Sequence, residues 1–132
     1  MKVKHTTPPH PRVSRWTLRF ILLGGAVAWL LHLLFAYLIA EFGTLSGLGA
    51  RRWGPTDTVT ALLLILSVAM IMLAASAWVV SWRQCARWGQ QPEPLAENDR
   101  VERFCARFGV SSNLVFLVIV LMQTIPIFFF RR

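Results

Sequence analysis

Residues 20–40 read FILLGGAVAWLLHLLFAYLIA, 21 positions without a formal charge, and this stretch decides the fold. In an α-helix rising 1.5 Å per residue, about 20 apolar residues cross the hydrocarbon of a bilayer. An amphipathic helix of a soluble core would show a polar face, and this run shows none. The same holds for 58–82 and 110–130, so three uncharged runs of 21 to 25 residues dominate the chain. They predict an all-α integral membrane protein with three transmembrane helices, over about 17–42, 57–82 and 110–130.

Hydrophobic residues make up 55% of the 132 positions, and mean hydropathy is +0.53. Too little remains outside the runs for a separate soluble core, so one transmembrane domain is expected over 16–132. Residues 1–15 hold Pro8, Pro9 and Pro11 with two histidines and four basic residues. That composition builds neither helix nor core, and predicts a mobile basic tail.

The net charge of +8 is distributed by side. Lys2, Lys4, Arg12, Arg15 and Arg19 precede the first run, and Arg83, Arg87, Arg100, Arg103 and Arg107 lie between the second and third. Only Arg51, Arg52, Arg131 and Arg132 fall on the other side. By the positive-inside rule this puts the N-terminus in the cytoplasm and the C-terminus outside, in a bacterial inner membrane. The basic excess then serves orientation and lipid headgroups, with Arg83, Arg87, Arg103 and Arg107 as interfacial lipid contacts. Nucleic acid is not an expected partner, because no stacking platform or binding motif accompanies the charge. The first run is longer than a signal-peptide core and lacks paired small residues at Leu38-Ile39-Ala40-Glu41, so it reads as a retained anchor.

Between the runs, Thr56 or Asp57 is placed to cap the second helix, and Gly89 to close it in a left-handed conformation before Pro92-Glu93-Pro94. Over about 95–108, Val101, Phe104, Cys105 and Phe108 share one face while Arg100, Arg103 and Arg107 line another. This predicts a short interfacial helix on the cytoplasmic surface, ended by Gly109, with Ser111 or Ser112 capping the third span. Cys85 and Cys105 sit in a repeated pattern, R-x-C-A-R-aromatic-G, at 83–89 and 103–109. The simplest account is two helix ends with the same interfacial needs, and cytoplasmic thiols that stay reduced.

An ionisable group at bilayer depth is expensive, which singles out His32. At 100° per residue it shares a face with Gly25, Ala28, Trp29, Ala36 and Gly43, while Leu23, Val27, Leu30, Leu34 and Leu38 take the opposite arc. Small residues admit a neighbouring helix and a leucine arc suits lipid, so the His32 face is a packing face. Glu41 points the other way and sits at the span boundary. The second run repeats Thr60, Ser67, Ala74 and Ser81 every seven residues, a stripe suited to left-handed packing. The third brings Gln123 and Thr124, then Pro126, which leaves the Met122 carbonyl without its usual partner. Depth places His32, Ser67 and Gln123 about 3–5 Å to one side of the bilayer centre. A polar layer is predicted, with His32 bonded to Gln123, Ser67 or the Met122 carbonyl.

No Ser-His-acid set, paired intramembrane carboxylates or H-E-x-x-H appears, and no enzyme activity is expected. Bis-histidine haem ligation needs two inward histidines, whereas His5 and His10 lie in the tail. A haem- or copper-handling protein, using His32 or a set of His5, His10, Cys85 and Cys105, is the alternative reading, but no compact ligand spacing supports it. A transporter would show repeated spans or broken helices. A non-catalytic accessory or assembly subunit fits best, without a cofactor of its own. It would dock on a larger integral membrane complex, or on itself, through the small-residue/His32 face or the aromatic end at 126–130.

Trp29-x-x-His32-Leu33-x-x-x-Tyr37 resembles the first-helix pattern of small multi-span proteins that accompany bacterial haem-copper cytochrome oxidases. The resemblance covers about one span of three. It implies a role as an accessory or assembly factor of an oxidase and transfers no catalytic residues.

Overall fold

A computed structural model of the chain describes residues 13–90 and 97–129. Each apolar run lies within one long helix: α1 (Arg15–Leu45), α2 (Thr58–Gly89) and α3 (Glu97–Phe129). All three are long and apolar enough to cross a membrane. With 31, 32 and 33 residues, they measure about 46–50 Å at the helical rise. That exceeds the ~30 Å of hydrocarbon, so each helix extends into the headgroup region.

Ser14 caps α1, its hydroxyl accepting from the Trp16 N–H, and the Ser46 N–H donates back to the Phe42 carbonyl at the far end. A single 3₁₀ turn (Leu48–Ala50) and a minimal antiparallel hairpin, β1 (Arg52–Trp53) with β2 (Thr56–Asp57), join α1 to α2. Gly54 stands at φ 65° in the hairpin turn, a left-handed conformation that glycine adopts without a Cβ clash. Of the two candidate caps of α2, Asp57 holds the position, its carboxylate accepting from the Thr60 N–H at 2.9 Å.

The hydrogen bonds from Thr60 hold the Asp57 carboxyl below its ordinary value. A depressed carboxyl contributes stability above its unfolded pKa and loses it as pH falls through the folded value. Asp57→Ala is expected to cost about 1 kcal/mol and to remove this acid-sensitive part of the unfolding curve. Asp57→Asn should retain most of the cap without the pH dependence. Chemical unfolding in detergent at successively lower pH measures both.

The helices form an up-down-up bundle in which each packs against the other two. Gly24 lies against Ala77, His32 against Ser67 and Gly43 against Val59, so α1 and α2 are antiparallel. Ile21 meets Gly109, Gly25 meets Asn113 and His32 meets Gln123, so α1 and α3 are parallel. The end where α1 and α3 begin, marked by Arg15, Arg19, Arg83, Arg87 and Arg107, is here termed the basic end. Small residues predominate among the buried ones: Ala28, Ala74, Ala77 and Ala106, with Ser67 and Ser81, outnumber Ile21, Val120 and Trp88. Leu23, Val27, Leu30, Leu34 and Leu38 face outward. Lipid is as apolar as leucine, so helix association gains from close backbone approach rather than from burying large side chains.

The structure departs from several expected helix ends. The segment expected as a separate interfacial helix over 95–108 is, from Glu97 onward, continuous with the third span, and Ser111 and Ser112 lie within α3 rather than capping it. Gly109 does not end a helix; a Cβ there would collide with the Ile21 carbonyl and the Ser81 hydroxyl, so the position serves close approach of three helices. Gly89 ends α2 without a left-handed φ, and Gln90 closes it by donating to the Arg87 and Trp88 carbonyls. The first helix runs past its expected end at 42, so that Gly43 lies two residues inside α1. The expected tail over 1–15 is shortened, since Ser14 caps α1 and Arg15 begins it; residues 1–12 and Pro92-Glu93-Pro94 lie outside the described residues.

Candidate functional site

His32 is 3% exposed at the centre of the bundle. The small α1 face brings it there: Gly25, Ala28 and Gly43 on the same side are buried, allowing α2 and α3 to close around it. Its Nε2 lies 3.0 Å from the Ser67 hydroxyl and its Nδ1 3.3 Å from Gln123 Oε1. Ser67 also donates to its own helix, at the Leu63 carbonyl, 2.8 Å away. The arrangement accommodates either neutral tautomer. With the proton on Nδ1, the ring donates to Gln123 Oε1 and accepts from Ser67, whose proton then turns from Leu63 to Nε2. With the proton on Nε2, the ring donates to Ser67, whose own proton stays on Leu63, and the Gln123 carboxamide turns to donate.

Both ring nitrogens thus face protein groups, and ligation of a metal or haem iron would require breaking one of these bonds. What the layer does chemically is hold three helices at one register. An interhelical hydrogen bond in a membrane contributes about 0.6 kcal/mol. His32→Leu is therefore expected to cost about 1 kcal/mol, and His32→Gln to recover part of it through its amide. Comparing unfolding midpoints of the two variants in detergent decides this. Equal stability of His32→Leu and the wild type would sink the structural role.

A second polar layer lies nearer the basic end, and the sequence reading missed it. Asn113 is fully buried. Its Oδ1 accepts from the Gly25 N–H at 2.9 Å, and its Nδ2 donates to the Ile21 carbonyl at 2.8 Å. Those are the two groups an α-helix pairs with each other, residue i to residue i−4. The carboxamide acts as an extra peptide group bridging one turn of α1. Nδ2 also donates to the Ser81 hydroxyl at 2.9 Å, which in turn donates to the Ala77 carbonyl at 2.8 Å. One side chain of α3 thereby ties both other helices. The available signal was a lone asparagine inside an apolar run, nearly three turns before Gln123. It was overshadowed by Ser111 and Ser112, taken as caps where the run begins.

The remaining candidate residues divide by location. Trp29 is half-buried against Phe116, with ring centroids 5.7 Å apart, and Ala36 is also half-buried. With Gly25 and Ala28 fully enclosed, the face expected to receive a partner complex is occupied by α2 and α3 of the same chain. Arg83, Arg87 and Arg107 are exposed, and Arg103 is half-buried. Val101, Phe104 and Phe108 point outward, the two phenylalanines stacked at 6.2 Å. Cys85 and Cys105 are half-buried free thiols. Among the described residues no three His, Cys, Asp or Glu side chains gather into a potential metal site. His5 and His10 lie outside the described residues.

Comparison of the chain with protein-family models, with curated proteins and with solved structures finds no match.

Proposed function

We propose that this chain is a non-catalytic accessory or assembly subunit of a larger complex in the bacterial inner membrane, with a haem-copper cytochrome oxidase as the complex to test first. One observation carries the reading: five polar side chains inside the bundle, including the central histidine, are engaged within it. His32, Ser67, Gln123, Asn113 and Ser81 hydrogen-bond to one another or to backbone within the bundle. A core built this way specifies a rigid small module rather than a reaction site. Because the His32 face is used internally, docking falls to the outward surfaces. The end of α3 is the favoured one, where Met122 and Ile125 are exposed and Phe129 is 81% exposed. The oxidase in particular rests on the Trp29, His32, Leu33 and Tyr37 pattern.

The test is purification of the tagged chain from native membranes in a mild detergent, with identification of whatever large complex travels with it. Oxidase subunits in stoichiometric amounts, and reduced assembled oxidase when the chain is deleted, are the expected results. Migration alone, or with a transporter, would overturn the oxidase reading.

A further inference from the structure

Toward the basic end lies a groove of about 350 Å³, lined by Phe20, Leu23, Gly24 and Val27 of α1 and by Leu73 of α2. Trp16 and Arg19 complete its lining, which is almost wholly apolar among the described residues. The Arg19 guanidinium sits 5.2 Å from the Trp16 ring centroid, within cation–π range. Tryptophan and arginine at the start of a span belong to the headgroup level, and the apolar walls belong to the acyl level. A second arginine stands beyond the groove on α2, outside its lining. Leu73, Val80 and Arg87 stand seven residues apart on α2 and so follow one stripe toward the same end. With Gly24 against Ala77, antiparallel register puts Arg87 about five residues, or ~7.5 Å, beyond Arg19 toward water. Arg87 is exposed there.

We propose that this groove is a binding site for one anionic phospholipid, its phosphate held by Arg19 and Arg87 and one acyl chain lying along Leu23, Val27 and Leu73. Charge complementarity selects the occupant. An apolar helix would leave two arginines without counter-charge, whereas a phosphodiester above an acyl chain satisfies both levels. Arginine offers a planar fork of donors to phosphate oxygens, and stacking on Trp16 limits the entropy lost on binding. The site is independent of any partner complex.

Full-length protein in an uncharged detergent is titrated with dioleoyl phosphatidylglycerol, dioleoyl phosphatidylcholine and inorganic phosphate. Bound lipid is counted by native mass spectrometry, and thermal unfolding is followed by circular dichroism. One retained phosphatidylglycerol and a saturable rise in Tm are expected, with little effect from phosphatidylcholine or phosphate. Arg19→Gln and Arg87→Gln should each weaken the apparent affinity about fivefold, and Leu73→Trp should abolish retention by filling the groove. Arg51→Gln, at the opposite end, should leave binding unchanged. Equal retention of the two lipids would overturn the proposal by showing a groove indifferent to headgroup. An equal Tm rise with phosphate alone would overturn it by showing an ion site, and unaltered affinity in both arginine variants would do the same.

Discussion

Gly109→Ala is expected to destabilise the bundle by about 1–3 kcal/mol, although the same change within an isolated helix would favour it by about 1 kcal/mol. The sign depends on what surrounds the position. A Cβ at residue 109 would come within 2.5 Å of the Ile21 Cγ2 methyl, 2.7 Å of the Ile21 carbonyl oxygen and 3.1 Å of the Ser81 hydroxyl. The carbonyl belongs to backbone, which cannot rotate away as a side-chain terminus can. Relief requires α1 and α3 to separate, and separation lengthens the Asn113 bonds to Ile21 and Gly25 one turn further on. Gly89→Ala supplies the control, since nothing stands within 4 Å of a Cβ there. Reversible unfolding of both variants in mixed micelles gives the comparison. A Gly109→Ala protein more resistant than wild type would show that the glycine is a helix interruption rather than a packing site.

Asn113→Asp is expected to be the most damaging near-isosteric change in the chain. The carboxylate keeps the acceptor for the Gly25 N–H but loses the amide that donates to the Ile21 carbonyl and the Ser81 hydroxyl. It sets like partial charges against each other in a fully buried site. A charge at the centre of a span costs about 2.5–3.5 kcal/mol on insertion scales and less toward the span end, where Asn113 lies, and lost interhelical bonds add about 0.6 kcal/mol each. Asn113→Ala, which loses the bonds without adding charge, should cost about 2 kcal/mol. The order wild type, alanine, aspartate in unfolding midpoint is the expected result at neutral pH. An aspartate variant as stable as the alanine variant would mean that the layer is hydrated and the amide replaceable.

These two sites show where sequence reading works and where it stops. The three helices are legible because a charge-free run of 21 residues has few soluble alternatives, and the bilayer sets the length needed. Helical phase also separates the inward arc of Gly25, Ala28 and His32 from the outward leucines, since small and large residues segregate by face. Depth and phase together lead to His32, Ser67 and Gln123 because all three are conspicuous polar residues inside apolar runs. Asn113 is equally polar but lies four positions from the start of its run, where capping and packing roles look alike. Gly109 was misread for a related reason: glycine favours both helix ends and close helix crossings, and only neighbours distinguish them.

The sequence by itself determined the membrane-spanning class, the number of long helices and the inward face of the first, because the bilayer and the helical period leave little choice once charge and size are patterned. Only the tertiary structure decided what the inward face meets. Residues on three helices meet according to crossing geometry and axial offset, and sub-ångström differences in approach turn a glycine from a stop into a contact. The tertiary structure also placed the Asn113 amide across a turn of α1, and it filled the expected docking face with the chain's own α2 and α3. A packing face read from one helix specifies that another helix will cover it, but not which one.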